Sequence, residues 1–296
     1  MTNCGPGGSG TESCCTSLEV AGGTYYRTYT SDADGGATSL ADPATVSSFR
    51  LDKYDVTVGR FRQFVSEWNA GWVPQAGSGK HTHLNGSLGL VNVDDDAGLV
   101  YEPGWLPSDD ANIAPTNANL QCSIDPRAPA WIPSPGNAET LPINCVNWYE
   151  AYAFCIWDGG FLPSEAEWEY AAAGGSQQRE YPWGSTDPGN GTEYANYMGG
   201  PITPVGSATL GAGLWGQLDL VGNVWQWNVD WAAALSDPCV NCAQITPSSG
   251  RVYRGGDYYI LFPSALRVSP SGGFNGNEYP PSNRDWVIGF RCARTP

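Results

Sequence analysis

Charge is what this 296-residue chain has least of: only 15% of its residues are Asp, Glu, Lys or Arg. Basic residues are the scarcer kind, 14 against 30 acidic ones, for a formal net charge of −16. A chain so acidic repels phosphate backbones, which argues against a nucleic-acid partner. Histidine occurs only as His81 and His83, so the chain cannot build a metal centre on three imidazoles. Long apolar runs are also missing. No stretch approaches the roughly 20 residues that a membrane-spanning helix needs. No internal repeat or dividing linker is visible. A secretory signal is absent as well, and "MTNCGPGGSG" reads as the mature start of an exported protein behind an added Met, its leader removed.

What the chain does have is glycine (38), proline (23) and aromatic side chains, 12% of the total with 13 Trp among them. That mixture indicates a loop-rich globule pinned by aromatic packing, not a helical bundle and not a disordered chain. Nine cysteines, at 4, 14, 15, 122, 145, 155, 239, 242 and 292, point to an oxidising compartment. "CVNC" (Cys239, Cys242) offers half of a zinc site, and neither the Cys14–Cys15 pair nor the two histidines completes it at suitable spacing. Because nine is odd, one thiol is free, modified or joined to another chain. "VDDDAG" (Asp94, Asp95, Asp96) lacks the ligand spacing of a calcium loop and reads as solvated.

Residues 1–16 have no periodicity and read as an arm tethered by disulfides; residues 17–296 read as one α+β domain. "SLEVAGGTYYRTY" (17–29) and "SSFRLDKYDVTV" (47–58) are strand-like. In "TVGRFRQFVSEWNAG", Thr57 caps a helix with Val58, Phe61, Val65 and Trp68 on one face and Gly71 at its end. Residues 72–140 form a long irregular insertion of the kind usually tied to function. A second helix starts at Asn147 with Glu150 three residues on, and stops by Gly159. A third starts at the Ser164–Glu167 capping box and ends at Gly174. After residue 175 only short strands and turns are expected.

"YDVTVGRF", "LPSEAEWEYAA", "YPWG", "DLVGNVWQWNVDW", "RVYRGG" and "GFRCAR" occur in this order. In these motifs the chain resembles the formylglycine-generating enzyme, or sulfatase-modifying factor, family. The resemblance implies a variant of the C-type lectin fold with little regular structure, and a disulfide between Cys155 and Cys292. It also implies calcium: Asp219, Gly222, Val224 and Gln226 correspond to one site, and Asn196 with Tyr197 to part of a second. The family usually has Asn and Glu where Asp219 and Gln226 stand, and the Asp-Gly-aromatic stretch that completes the second site is missing here.

Catalytic members of the family place Ser after the Gly pair, then two cysteines that bind Cu(I), a soft ion that selects thiolates. Here those positions are Asp257, Ile260 and Ala265. A second branch, the ergothioneine-pathway sulfoxide synthases, needs three histidines on iron. Neither chemistry has its ligands. What remains is a surface at 257–287, rich in the Tyr, Ser, Gly, Asn and Trp that binding loops favour. Its candidate contacts are Asp257, Tyr258, Tyr259, Ile260, Phe262, Asn275, Asn277, Tyr279 and Trp286, with Trp225 on the same face. Such loops are also found in the variable proteins of diversity-generating retroelements, which use this lectin-like fold. The expectation is a secreted or cell-surface domain that binds a protein or glycan without turning it over; a copper-dependent oxidase and a purely structural member are the alternatives.

Overall fold

In the computed structural model the three helices lie where their caps are. The structure describes residues 3–4, 11–32, 35–94, 98–122, 130–269 and 277–296. Helix α1 (Val58–Asn69) starts at Thr57, whose hydroxyl accepts the Arg60 N–H and satisfies an amide that the first turn leaves open. Phe61 and Phe64 centre its buried face; Val65 and Trp68 are only partly buried beside them. Helix α2 (Trp148–Trp157) and helix α3 (Glu165–Ala173) both begin in reciprocal capping boxes, Asn147 with Glu150 and Ser164 with Glu167. Gly174 ends α3 at φ 67°, a left-handed conformation that glycine adopts without steric cost. Phe61 stacks on Phe154 at 5.7 Å and meets Phe290 edge-on at 6.2 Å, which locks α1 and α2 together near the C-terminus.

The stretch expected as one strand over 17–29 is two, β3 (Ser17–Val20) and β4 (Gly23–Ser31), in different sheets. The break is at Gly22, where a Cβ would lie 2.6 Å from Ser48 N and from Val46 O; only glycine lets the two backbones come that close. β3 pairs with β6 (Phe49–Asp52), which also carries β14 (Ala293–Arg294). The strand expected over 47–58 is thus confined to four residues. β4 pairs with β5 (Ala37–Val46), which takes β10 (Cys239–Val240) on its other side in parallel. Nothing in the sequence pointed to β5, because Asp42-Pro43 reads as a turn.

Residues 72–140 include the antiparallel pair β7 (Val91–Asp94) and β8 (Gly98–Tyr101) and short 3₁₀ turns. At the N-terminus β1 (Asn3–Cys4) pairs with β2 (Glu12–Ser13). The sheet that organises the molecule has the order β12 (Asn277–Tyr279), β11 (Arg251–Arg254), β9 (Trp225–Trp231), β13 (Ile288–Gly289). Four disulfides join Cys4–Cys14, Cys122–Cys145, Cys155–Cys292 and Cys239–Cys242, and Cys15 is a free, exposed thiol. "CVNC" is therefore a disulfide and not half of a zinc site. Among the described residues no helix is long and apolar enough to cross a membrane.

Every residue of α3 is buried, Glu165, Glu167 and Glu169 included. Buried carboxylates need partners, and each has one. Arg254 lies 3.5 Å from Glu165 and 3.3 Å from Glu169, and His81 Nε2 lies 3.0 Å from Glu167. Part of the chain's sparse charge is in its interior.

Candidate functional site

The site grows from β9, whose sequence WQWNVDW alternates between two faces. Gln226, Asn228 and Asp230 are buried toward α3: Gln226 Oε1 accepts the Trp168 indole N–H, and Asp230 accepts the Glu165 amide. Trp225, Trp227, Val229 and Trp231 form the opposite, aromatic stripe. Trp225 meets Tyr253 edge-on at 5.2 Å, and Tyr253 stacks on Tyr279 at 5.3 Å, so three strands present one continuous ring surface.

Asp257 joins that stripe to the loop beyond β11. Its Oδ2 accepts the Trp225 indole N–H at 2.5 Å, and its Oδ1 accepts the amides of Tyr259 at 2.5 Å and Ile260 at 3.2 Å. Burial raises the Asp257 pKa, and these donors oppose the rise by stabilising the charged form. The carboxylate thus fixes the turn that carries Tyr258 and Tyr259 over Trp225. Trp286 meets both tyrosines edge-on, at 5.7 and 5.3 Å. Beside them Asp257, Tyr259, Ile260, Asp285, Trp286 and Val287 line an open cavity of about 340 Å³.

The turn displays apolar side chains to solvent. Tyr259 is 59% exposed, Leu261 54% and Phe262 68%. Met198 extends the patch: its amide donates to Ile260 O at 2.6 Å, and Gly199 N donates to Tyr258 O at 2.9 Å. Clustered exposed apolar side chains mark an interaction site more often than scattered ones do.

The expected contacts separate into distinct roles. Tyr259 and Phe262 are exposed, and Trp286 and Trp225 are half-buried beside them. Asp257 and Tyr258, placed on the surface by sequence alone, are buried at 6% and 4% exposure and support the turn from beneath. Ile260 turns inward and packs against the core around α3. Asn277 is exposed on β12, where Tyr279 is half-buried; Asn275 lies outside the described residues. Leu261, Met198 and Asp285 were missed. Leu261 sits between the named contacts Ile260 and Phe262 and could have been included, whereas Met198 has no local signal and reaches the site through backbone pairing. Ile260 and Ala265, the positions that the resemblance gives to the copper-binding cysteines, present only hydrocarbon.

The loop expected to hold calcium is closed on itself. Gln226 Oε1 accepts from Trp168 Nε1 and from Arg291 Nε, both at 2.7 Å, while its Nε2 donates to Asp219 O at 2.8 Å. Arg291 Nη2 donates to Asp219 O at 2.7 Å and to Asp55 at 3.0 Å. The Asp219 carboxylate accepts the Gly206 amide at 2.6 Å, and burial pushes its pKa up to about 6. Gly222, at φ 79°, and Val224 lie within this loop. Of the four oxygens that the resemblance gives to calcium, Gln226 Oε1 is taken by the Arg291 guanidinium and by the Trp168 indole, so the set as folded is one ligand short. At the second place Asn196 Nδ2 donates to Asn223 Oδ1 at 3.0 Å, and the Tyr197 hydroxyl donates to Gly189 O. Among the described residues no group of three His, Cys, Asp or Glu side chains gathers for a metal.

Residues 6–296 match the model of the sulfatase-modifying factor enzyme 1-like domain family. The formylglycine-generating enzyme of Bos taurus is 29% identical over 269 residues, 84% of this chain. This chain spans 66% of the bovine enzyme's length. Among solved structures, PvdO from Pseudomonas aeruginosa superposes with a TM-score of 0.59 at 20% identity, over 97% of this chain and 100% of that one. Treponema denticola variable protein 1 superposes with a TM-score of 0.57 at 20% identity, over 95% of both chains. At that identity the structural likeness speaks for the fold.

Proposed function

Because the chain belongs to the sulfatase-modifying factor enzyme 1-like family while Ile260 and Ala265 stand where the resemblance puts its copper ligands, we propose that it is a non-catalytic recognition domain. It binds an extracellular protein or glycan through the outer face of residues 257–287. The observation that carries this reading is the pairing of an exposed apolar patch, Tyr259, Leu261 and Phe262, with a rigid base, the Asp257–Trp225 hydrogen bond. Pre-organised aromatic side chains give contact area at low entropic cost. Four disulfides support an oxidising, extracytoplasmic setting. A finer form of the proposal is that the surface is diversified between gene copies, in keeping with a fold shared with a variable protein.

The test is a binding screen on a glycan array and on a panel of purified ectodomains. Hits are then repeated with Tyr259→Ala, Phe262→Ala and Trp286→Ala. A hit should weaken by at least about 2 kcal/mol in at least one variant, the size of an interface hot spot, with the melting temperature held. Hits unaffected by all three variants would move recognition off this surface.

A further inference from the structure

A second cavity, of about 500 Å³, opens toward the end of β9 remote from Trp225. Trp225 and Trp231 bound that seven-residue strand, so the two places lie about 20 Å apart along it. The lining is mostly apolar: Trp148 and Tyr152 from α2, Trp231 from β9, Leu106 from the 72–140 insertion, and Ile245. Three charged residues break the pattern: Glu102, already paired with His81, Asp109, and Arg251 of β11.

The Arg251 guanidinium is held between two indoles, 3.7 Å from the Trp148 ring centre and 3.8 Å from that of Trp231. Both of its faces are thereby covered, and only its edge is left for hydrogen bonding. Nη1 donates to Val229 O, while Nε is enclosed and has no partner. Several other buried or half-buried guanidiniums face carboxylates, Arg60 with Asp52, Arg254 with Glu169, Arg284 with Glu150 and Arg291 with Asp55, whereas buried Arg27 is held by backbone oxygens. Arg251 has no ion pair among the described residues. Desolvation pulls its pKa down to about 9, so it is still charged at neutral pH. Asp109 and Asp230 act on it only from beyond ion-pair distance, and an anionic ligand in contact would supply the missing partner.

We propose that this cavity binds a small organic monocarboxylate, its carboxylate on the Arg251 edge and its aromatic or branched apolar body against Trp148, Trp231 and Ile245. A planar guanidinium edge matches the two oxygens of a carboxylate, and a volume of this size with one charged group suits a small ligand. Asp109 lines the same cavity and disfavours a second negative charge, which selects a monoacid over a dicarboxylate or a phosphate.

Calorimetric titration with indole-3-acetate, phenylacetate and 4-methylvalerate, each beside its primary amide, tests the proposal on the full chain. At least one acid should bind, and at least about tenfold more tightly than its amide, the discrimination expected of a charge-assisted hydrogen bond. Arg251→Met should abolish that preference. Leu106→Trp, which fills the cavity from its exposed rim, should abolish binding itself, and Tyr259→Ala on the other surface should change neither. If Arg251→Met does not fold, the acid-to-amide ratio on the unaltered protein and the loss in Leu106→Trp decide. No binding by any of the three acids, equal binding of acids and amides, or undiminished binding in Leu106→Trp would overturn it.

Discussion

His81 shows how single residues are tuned by what surrounds them. It is fully buried, tilted against the Phe161 ring at 3.8 Å, with Glu102 and Glu167 each 3.0 Å from a ring nitrogen. Burial alone would lower its pKa, yet the two carboxylates outweigh it and push the value up to about 10. His83, half-buried nearby, is shifted the other way, chiefly by burial. A base whose folded pKa is raised contributes stability that is fully present below its unfolded value, about 6.5, and that is lost as pH rises through about 10. With only two histidines in the chain, proton NMR resolves both. One imidazole should titrate below about 6.5 and the other only near 10, with the denaturation midpoint falling across that window. Two titrations near 6.5 would contradict the buried triad. At this scale the sequence was partly legible. Tyr259 and Phe262 stood out as binding-loop residues, but nothing local reports that Asp257 is the buried anchor, or that Arg251 lacks a counter-ion.

At the scale of elements, legibility followed the range of the signal. Caps are written within four residues, so all three helix starts could be read from Thr57, Asn147 and Ser164. β5 could not be read, because its pairing with β4 and β10 overrides a local Asp-Pro turn signal. The Asp219–Gln226 loop makes the same point for chemistry. Its residue types suit calcium, but the tertiary fold brings Arg291, more than sixty residues further along the chain, onto Gln226 Oε1 and the Asp219 carbonyl. Excess chelator is therefore expected to leave the melting temperature unchanged. A fall of several degrees, restored by calcium alone, would show that an ion enters and that the guanidinium withdraws.

Across the whole molecule, the Cys155–Cys292 bond closes a separation of 137 residues, which in the chain-entropy account restricts the unfolded state by about 5 kcal/mol. It ties α2 to the C-terminal segment beside Phe290, and so steadies the sheet that carries the turn around Tyr259. Such a scaffold tolerates change in its outward side chains and not in its anchors. Sequencing of the gene from several isolates should therefore find substitutions at Tyr259, Leu261 and Phe262 before Asp257 or Trp225. Equal variation at anchors and outer positions would remove the diversification reading. The order of the family motifs was visible in the sequence because it spans nearly the whole chain. The cavity beside Arg251 was not, because it is assembled from segments far apart in sequence.

The central claim is that this surface recognises and does not oxidise. It is tested most directly by supplying Cu(I), oxygen and a cysteine-containing peptide, then following oxygen uptake and aldehyde formation by mass spectrometry. The account predicts neither above the copper-only control, because Ile260 and Ala265 offer no thiolate to the metal. Turnover that depends on the protein and yields the aldehyde would contradict it.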